Sequence, residues 1–198
     1  MPEKIIVLKD KILIICWTSL LEIIINPSKA WERLKRLRKE RKTPIFKAMI
    51  ISILIAGLLN CLGTSFVSTE FDFLKGIKSG TTVIFSLFIS VYITSFINLI
   101  TFENLTKKHA RLSEIYNYTT LTFSLSFLIY ALEPIMSLVF FYKVFLLYTF
   151  YIAWIGTENF LEIPNENRAV FTTICVLSVL FIPMIVSKLL TFLMPGLL

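Results

Sequence analysis

Apolar residues along this chain fall into long uncharged runs separated by short charged connections. The first run extends from Ala48 to Thr69 between Lys47 and Glu70, and the second from Ser79 to Phe102 between Lys78 and Glu103. A third apolar stretch, Ile115 to Thr157, is broken only by Glu133 and Lys143 and is about twice as long as one membrane crossing. The last begins at Ala169 and continues past Lys188, with Pro183 placed to kink it. Crossing ~30 Å of hydrocarbon at ~1.5 Å per residue takes roughly 20 apolar residues, and lipid offers the backbone no partner outside a helix. The third stretch must then hold two helices and a tight turn near Ser137 to Val139. The pattern predicts an all-α integral membrane bundle of five transmembrane helices, at 45–69, 79–102, 115–136, 138–157 and 169–194.

The segment ahead of these runs has a different pattern. Residues 1–44 are expected to form a cytoplasmic or interfacial arm attached to a five-helix domain spanning 45–198. Ile12 to Ile25 is apolar but too short to cross, and no small-x-small cleavage signal follows it, so an uncleaved interfacial or re-entrant helix is expected. Asn26-Pro27 is a helix-start signal: asparagine caps well and proline suits the first helical position. Thr43-Pro44 should end that helix, because the residue before proline is pushed out of the helical region. Between them Ala30, Trp31, Leu34 and Leu37 recur at three- and four-residue spacing, and Lys29, Arg33, Lys35, Arg36, Arg38, Lys39, Arg41 and Lys42 cover the remainder. This is a basic amphipathic helix. Its expected role is contact with anionic headgroups or an acidic partner surface through Trp31, Arg33, Lys35, Arg36, Arg38, Lys39, Arg41 and Lys42, at about 1 kcal/mol per basic residue near the membrane.

Composition agrees with the run pattern and charge adds an orientation. Only 17% of the 198 residues are charged and 56% are hydrophobic, which argues against both a soluble domain and a disordered chain. The net charge of +7 resides in residues 1–47, where 12 Lys and Arg oppose 5 acids; the rest of the chain is neutral. By the positive-inside rule the N-terminus is expected in the cytoplasm, and an odd number of crossings leaves the C-terminus outside. The acids Glu158, Glu162 and Glu166 then fall in a nominally inner loop, which the rule tolerates because acids contribute little to it. A nucleic-acid role for the basic segment is not expected, since it adjoins a membrane span and matches no nucleic-acid-binding fold.

Candidate chemistry is sparse. The sole histidine, His109, excludes a multi-histidine metal site, and Cys16, Cys61 and Cys175 lie far apart inside apolar runs, without metal or disulfide spacing. No phosphate loop, nucleophile elbow or dinucleotide fingerprint occurs, so neither catalytic residues nor a cofactor are expected. The polar residues of interest are intramembrane ones. Glu133 and Lys143 stand about one turn inside facing helices, where they either pair or reach to the surface. Gly76 and Gly80 have the close-packing GxxxG spacing, although Lys78 stands between them. The hydroxyl-rich second and third helices, with Asn98 and Asn117, point to interhelical hydrogen bonding or to a polar solute path.

Several short motifs coincide with one family. Asn26-Pro27-Ser28-Lys29-Ala30-Trp31-Glu32 precedes a basic helix, Glu133-Pro134 comes late in the third span, Trp154-Ile155-Gly156 closes the fourth, and Arg168-Ala169 opens the fifth. With the five-run layout, these resemble the Yip1 domain family over nearly the whole chain. The resemblance implies a multi-pass membrane protein with a cytoplasmic N-terminus; eukaryotic members act in vesicle traffic with Rab GTPases and with one another. This chain lacks their Asp-Leu-Tyr-Gly-Pro motif and any long cytoplasmic region beyond its basic arm, so a prokaryotic inner-membrane protein is the expectation. The function expected is that of a non-enzymatic scaffold or membrane-organising protein, contacting lipids and either a membrane-protein partner or a second copy. The alternative is a small transporter or permease with a polar path beside Glu133; an intramembrane hydrolase lacks the paired acids it would need. Glu133, Pro134, Lys143, Trp154 and Gly156 are the structural positions singled out within the membrane.

Overall fold

A computed structural model describes residues 21–39, 45–67, 71–136 and 147–193. After a helical turn at residues 21–25 come α1 (Pro27–Lys39), α2 (Ile45–Val67), α3 (Phe73–Thr106), α4 (Leu112–Thr122), α5 (Ser124–Met136), α6 (Tyr148–Asn159) and α7 (Asn165–Leu193). The described residues contain no strand.

Local chemistry sets several helix ends. Pro27 opens α1, and the Asn26 side chain accepts from the Lys29 backbone N–H at 3.5 Å, in the expected capping position. Asp72 caps α3 by accepting from the Lys75 N–H at 2.9 Å, which starts this helix six residues before the expected crossing. Lys107 ends it in the left-handed conformation, with its N–H on the Glu103 carbonyl. At 34 residues α3 is about 51 Å long, far more than ~30 Å of hydrocarbon, so its ends project beyond the apolar layer unless it tilts steeply.

The third expected span, 115–136, is two helices rather than one. The break falls at Phe123, directly after the run Thr119-Thr120-Leu121-Thr122. Thr122 bonds back to the Tyr118 carbonyl at 3.0 Å, a competition with the backbone ladder that bends helices. The fifth expected span is realised as α7, which begins earlier, at Asn165, and runs through Pro183 as one helix. Among the described residues, three helices are individually long and apolar enough to cross a membrane: Ile45–Phe66, Phe73–Thr106 and Asn165–Leu193. The expected fourth span is described only as α6. The turn expected near Ser137 to Val139, Lys143 and most of the interfacial segment Ile12 to Ile25 lie outside the described residues.

Helix α3 is the central element, packing on α2, α4 and α7. Its pairing with α2 is antiparallel and rests on small residues. A Cβ at Gly80 would stand 2.6 Å from the Gly57 carbonyl oxygen, and one at Gly76 would stand 2.6 Å from that of Cys61. The GxxxG spacing is therefore used for close backbone approach even with Lys78 between the glycines. On its other side α3 runs antiparallel to α7: Ser86 donates to the Pro183 carbonyl at 2.9 Å, Phe102 meets Phe171 edge-on, and Asn167 donates to the Leu105 carbonyl at 2.8 Å.

Candidate functional site

The N-terminal helix is built into the bundle. Ala30, Trp31 and Leu34 form the apolar stripe expected from their spacing, and all three are buried, with Trp31 at 0% exposure. That stripe faces protein. The Trp31 indole stacks on Tyr118 of α4 (centroids 5.5 Å apart), packs on Phe160 just beyond α6 (5.4 Å), and donates from Nε1 to the Ile152 carbonyl at 3.0 Å. The ring therefore faces protein and not lipid: neighbouring aromatics pack on its apolar body and a carbonyl accepts from its N–H, the two partners a buried indole needs. Gly156 makes room for it. A Cβ there would lie 2.5 Å from Trp31 Cζ2 and 2.9 Å from Tyr118 Cε2.

Beneath the indole lies a chain of buried polar contacts connecting α3, α4, α6 and α7. Tyr118 Oη donates to the Ala153 carbonyl at 3.0 Å and lies 3.0 Å from Thr157 Oγ1, which is in turn 3.1 Å from Thr172 Oγ1. Asn98 Nδ2 reaches Thr119 Oγ1 at 3.0 Å and Cys175 Sγ at 3.3 Å. Thr94 Oγ1 and Asn98 Oδ1, one turn apart on α3, are buried with no hydrogen-bond partner. Each contact joins groups on different helices, so the arrangement fastens helices together, at about 0.6 kcal/mol per bond inside a membrane protein.

A second polar junction compensates a proline. Pro134 lies inside α5 and cannot donate to the Tyr130 carbonyl four residues back. Asn60 of α2 takes that role, its Nδ2 donating to the Tyr130 carbonyl at 3.2 Å while its Oδ1 accepts from Ser79 of α3 at 2.6 Å. Asn60 was not legible as a site residue, since nothing in its own neighbourhood signals a proline on another helix. Glu133 is half-buried beside Pro134 in the last turn of α5.

The remaining singled-out positions fall on the rim of the bundle. Arg168 reaches Glu158 at 3.1 Å and lies 5.8 Å over the Trp154 ring, joining the start of α7 to α6. On α1, Arg33 bridges Glu22 at 2.7 Å, and Lys35 bridges Glu162 in the loop after α6. Lys29 and Arg36 are exposed. The side chains of Arg38 and Lys39, and Arg41 and Lys42 altogether, lie outside the described residues. His109 is fully exposed, with Nδ1 3.2 Å from Glu103.

Comparisons with curated proteins and with solved structures found no match. The model of the Yip1 domain family, by contrast, matches residues 21–196. The match begins at the helical turn before α1 and continues through α7, so it takes in the Trp31 helix together with the apolar helices it packs on. The chain is an integral membrane protein, and it belongs to the Yip1 domain family.

Proposed function

We propose that this protein is a non-enzymatic membrane scaffold of the organising or trafficking type. Its five-span body would hold α1 against the cytoplasmic face, and α1 would present cations to anionic headgroups or to an acidic surface on a membrane-protein partner or second copy. The observation that carries this reading is the enclosure of Trp31, which fixes one face of α1 to the bundle and turns Lys29 and Arg36 outward. The internal polar groups support it as well, because they bond helix to helix. In this reading the N-terminus is cytoplasmic, the C-terminus is outside, the membrane is a prokaryotic inner membrane, and Glu133 and Lys143 hold the hairpin between the third and fourth spans.

The test follows from the packing. Deleting the arm would remove Trp31 from the core, so charge reversal of exposed positions, Lys29→Glu with Arg36→Glu, isolates the basic surface. Cross-linking in native membranes followed by purification in mild detergent should show self- or partner-association that the reversal abolishes while the thermal midpoint stays unchanged. Unchanged association would remove the role given to α1. Solute flux in reconstituted vesicles that vanished with Glu133→Gln would replace the scaffold by a transporter. Reporter fusions after Asp72 and Leu198 should both indicate the outer side; a cytoplasmic Leu198 would contradict the five-span count.

A further inference from the structure

A groove of about 700 Å³ opens between the start of α2, the middle of α3 and the start of α4, on residues that the scaffold reading does not use. Its walls are aromatic, with Phe46, Tyr92, Phe96 and Tyr116, and Leu112 adds to the apolar lining. Tyr116 organises them, since its ring lies 5.4 Å from Tyr92 and 6.3 Å from Phe46, and its hydroxyl is held on Met49 Sδ at 2.8 Å. Phe46, Tyr92 and Phe96 remain substantially exposed, at 46%, 43% and 61%, so the groove is both preformed and open.

One end of this apolar trough is charged. Arg111 lines it, is exposed, and occupies the capping position of α4 without a side-chain capping bond. Glu114 also lines the groove, but the surrounding charge is positive: Lys107 and Lys108 are exposed in the loop leading to Arg111, and Lys47 is exposed beside Phe46. We infer that the groove binds one phospholipid with a net negative headgroup, its phosphate at Arg111 and an acyl chain along the aromatic walls. A volume within the ~300–1,000 Å³ of small-molecule sites suits a single occupant. A planar guanidinium at the rim suits phosphate, which it can bind through two parallel hydrogen bonds. The apolar walls give a free phosphate ion nothing to bind, so the ligand is the lipid.

The experiment is native mass spectrometry of the full-length protein from mild detergent, titrated with phosphatidylglycerol or phosphatidylcholine. The expected result is one retained phosphatidylglycerol, preferred over phosphatidylcholine, with the preference reduced about fivefold by Arg111→Gln. Lys75→Gln, at the exposed N-terminal end of α3, should leave it unchanged. Ser113→Trp, a change at an exposed groove position, should expel the retained lipid without lowering the thermal midpoint. Inorganic phosphate added in excess should not displace the lipid. Equal retention of both lipids, a preference that survives Arg111→Gln, loss of preference on Lys75→Gln, or displacement by phosphate would each overturn the assignment.

Discussion

The Trp31 indole lies so close over Gly156 that a methyl group at that glycine would stand 2.5 Å from Cζ2 of the ring. The contact joins residues far apart in sequence, and with the Nε1 bond to Ile152 it fixes the N-terminal helix to α6.

Gly156→Ala sets two effects against each other. Alanine is favoured over glycine inside a helix by about 1 kcal/mol, whereas overpacking a filled site costs typically about 1–3 kcal/mol. A fully buried ring backed by Tyr118 and Phe160 has little room to retreat, so overpacking should win. Thermal unfolding in detergent should show a lower midpoint for Gly156→Ala, and a higher midpoint would mean that the ring yields easily.

Trp31→Phe and Trp31→Ala separate the hydrogen bond from the packing. The first should cost about 0.5–1.5 kcal/mol, the net worth of the hydrogen bond from the indole N–H to the Ile152 carbonyl. The second should cost about 3–5 kcal/mol through the cavity it leaves. Urea or detergent-denaturant titration measures both; equal losses would assign the whole effect to the polar contact.

Asn60 and Pro134 should be energetically coupled. Asn60→Leu removes the side-chain donor to the Tyr130 carbonyl and the acceptor for Ser79, and should destabilise by about 1–3 kcal/mol. In a Pro134→Ala background the alanine N–H can serve that carbonyl, so the same Asn60→Leu change should cost less. A double-mutant cycle on the denaturation midpoints reads the difference, and strict additivity would show that Asn60 acts only through Ser79.

The helix pair α2 and α3 depends on close approach at Gly80. Gly80→Leu should strongly destabilise the bundle, since even a Cβ would meet the Gly57 carbonyl oxygen at 2.6 Å. Gly63→Leu, at a buried glycine of α2, provides a comparison for general volume effects. A normal melting profile for Gly80→Leu would contradict the close-packing role.

Much of this organisation was legible in the apolar runs. Uncharged length located α2, α3 and α7, and the three- and four-residue spacing of Ala30, Trp31 and Leu34 located the stripe on α1. Spacing shows that a helix has an apolar face but not whether that face meets lipid or protein. The distinction lay in Gly156, whose missing side chain makes sense only once the indole is known to fill its place. The break at Phe123 was obscured because length counting treats Thr122 as an ordinary span residue, although its hydroxyl competes for the helix's own Tyr118 carbonyl. Asn60 and Tyr118 stayed hidden because their partners, Tyr130, Ala153 and Thr157, come from other helices.

The most direct test of the central claim isolates Trp31 as the single tryptophan. A Trp17→Phe, Trp154→Phe variant reconstituted in vesicles should emit at short wavelength, resist both acrylamide and brominated-lipid quenchers, and be insensitive to the fraction of anionic lipid. Strong quenching by brominated lipid, or emission that shifts with anionic lipid content, would place the indole at the headgroups and contradict a docked N-terminal helix.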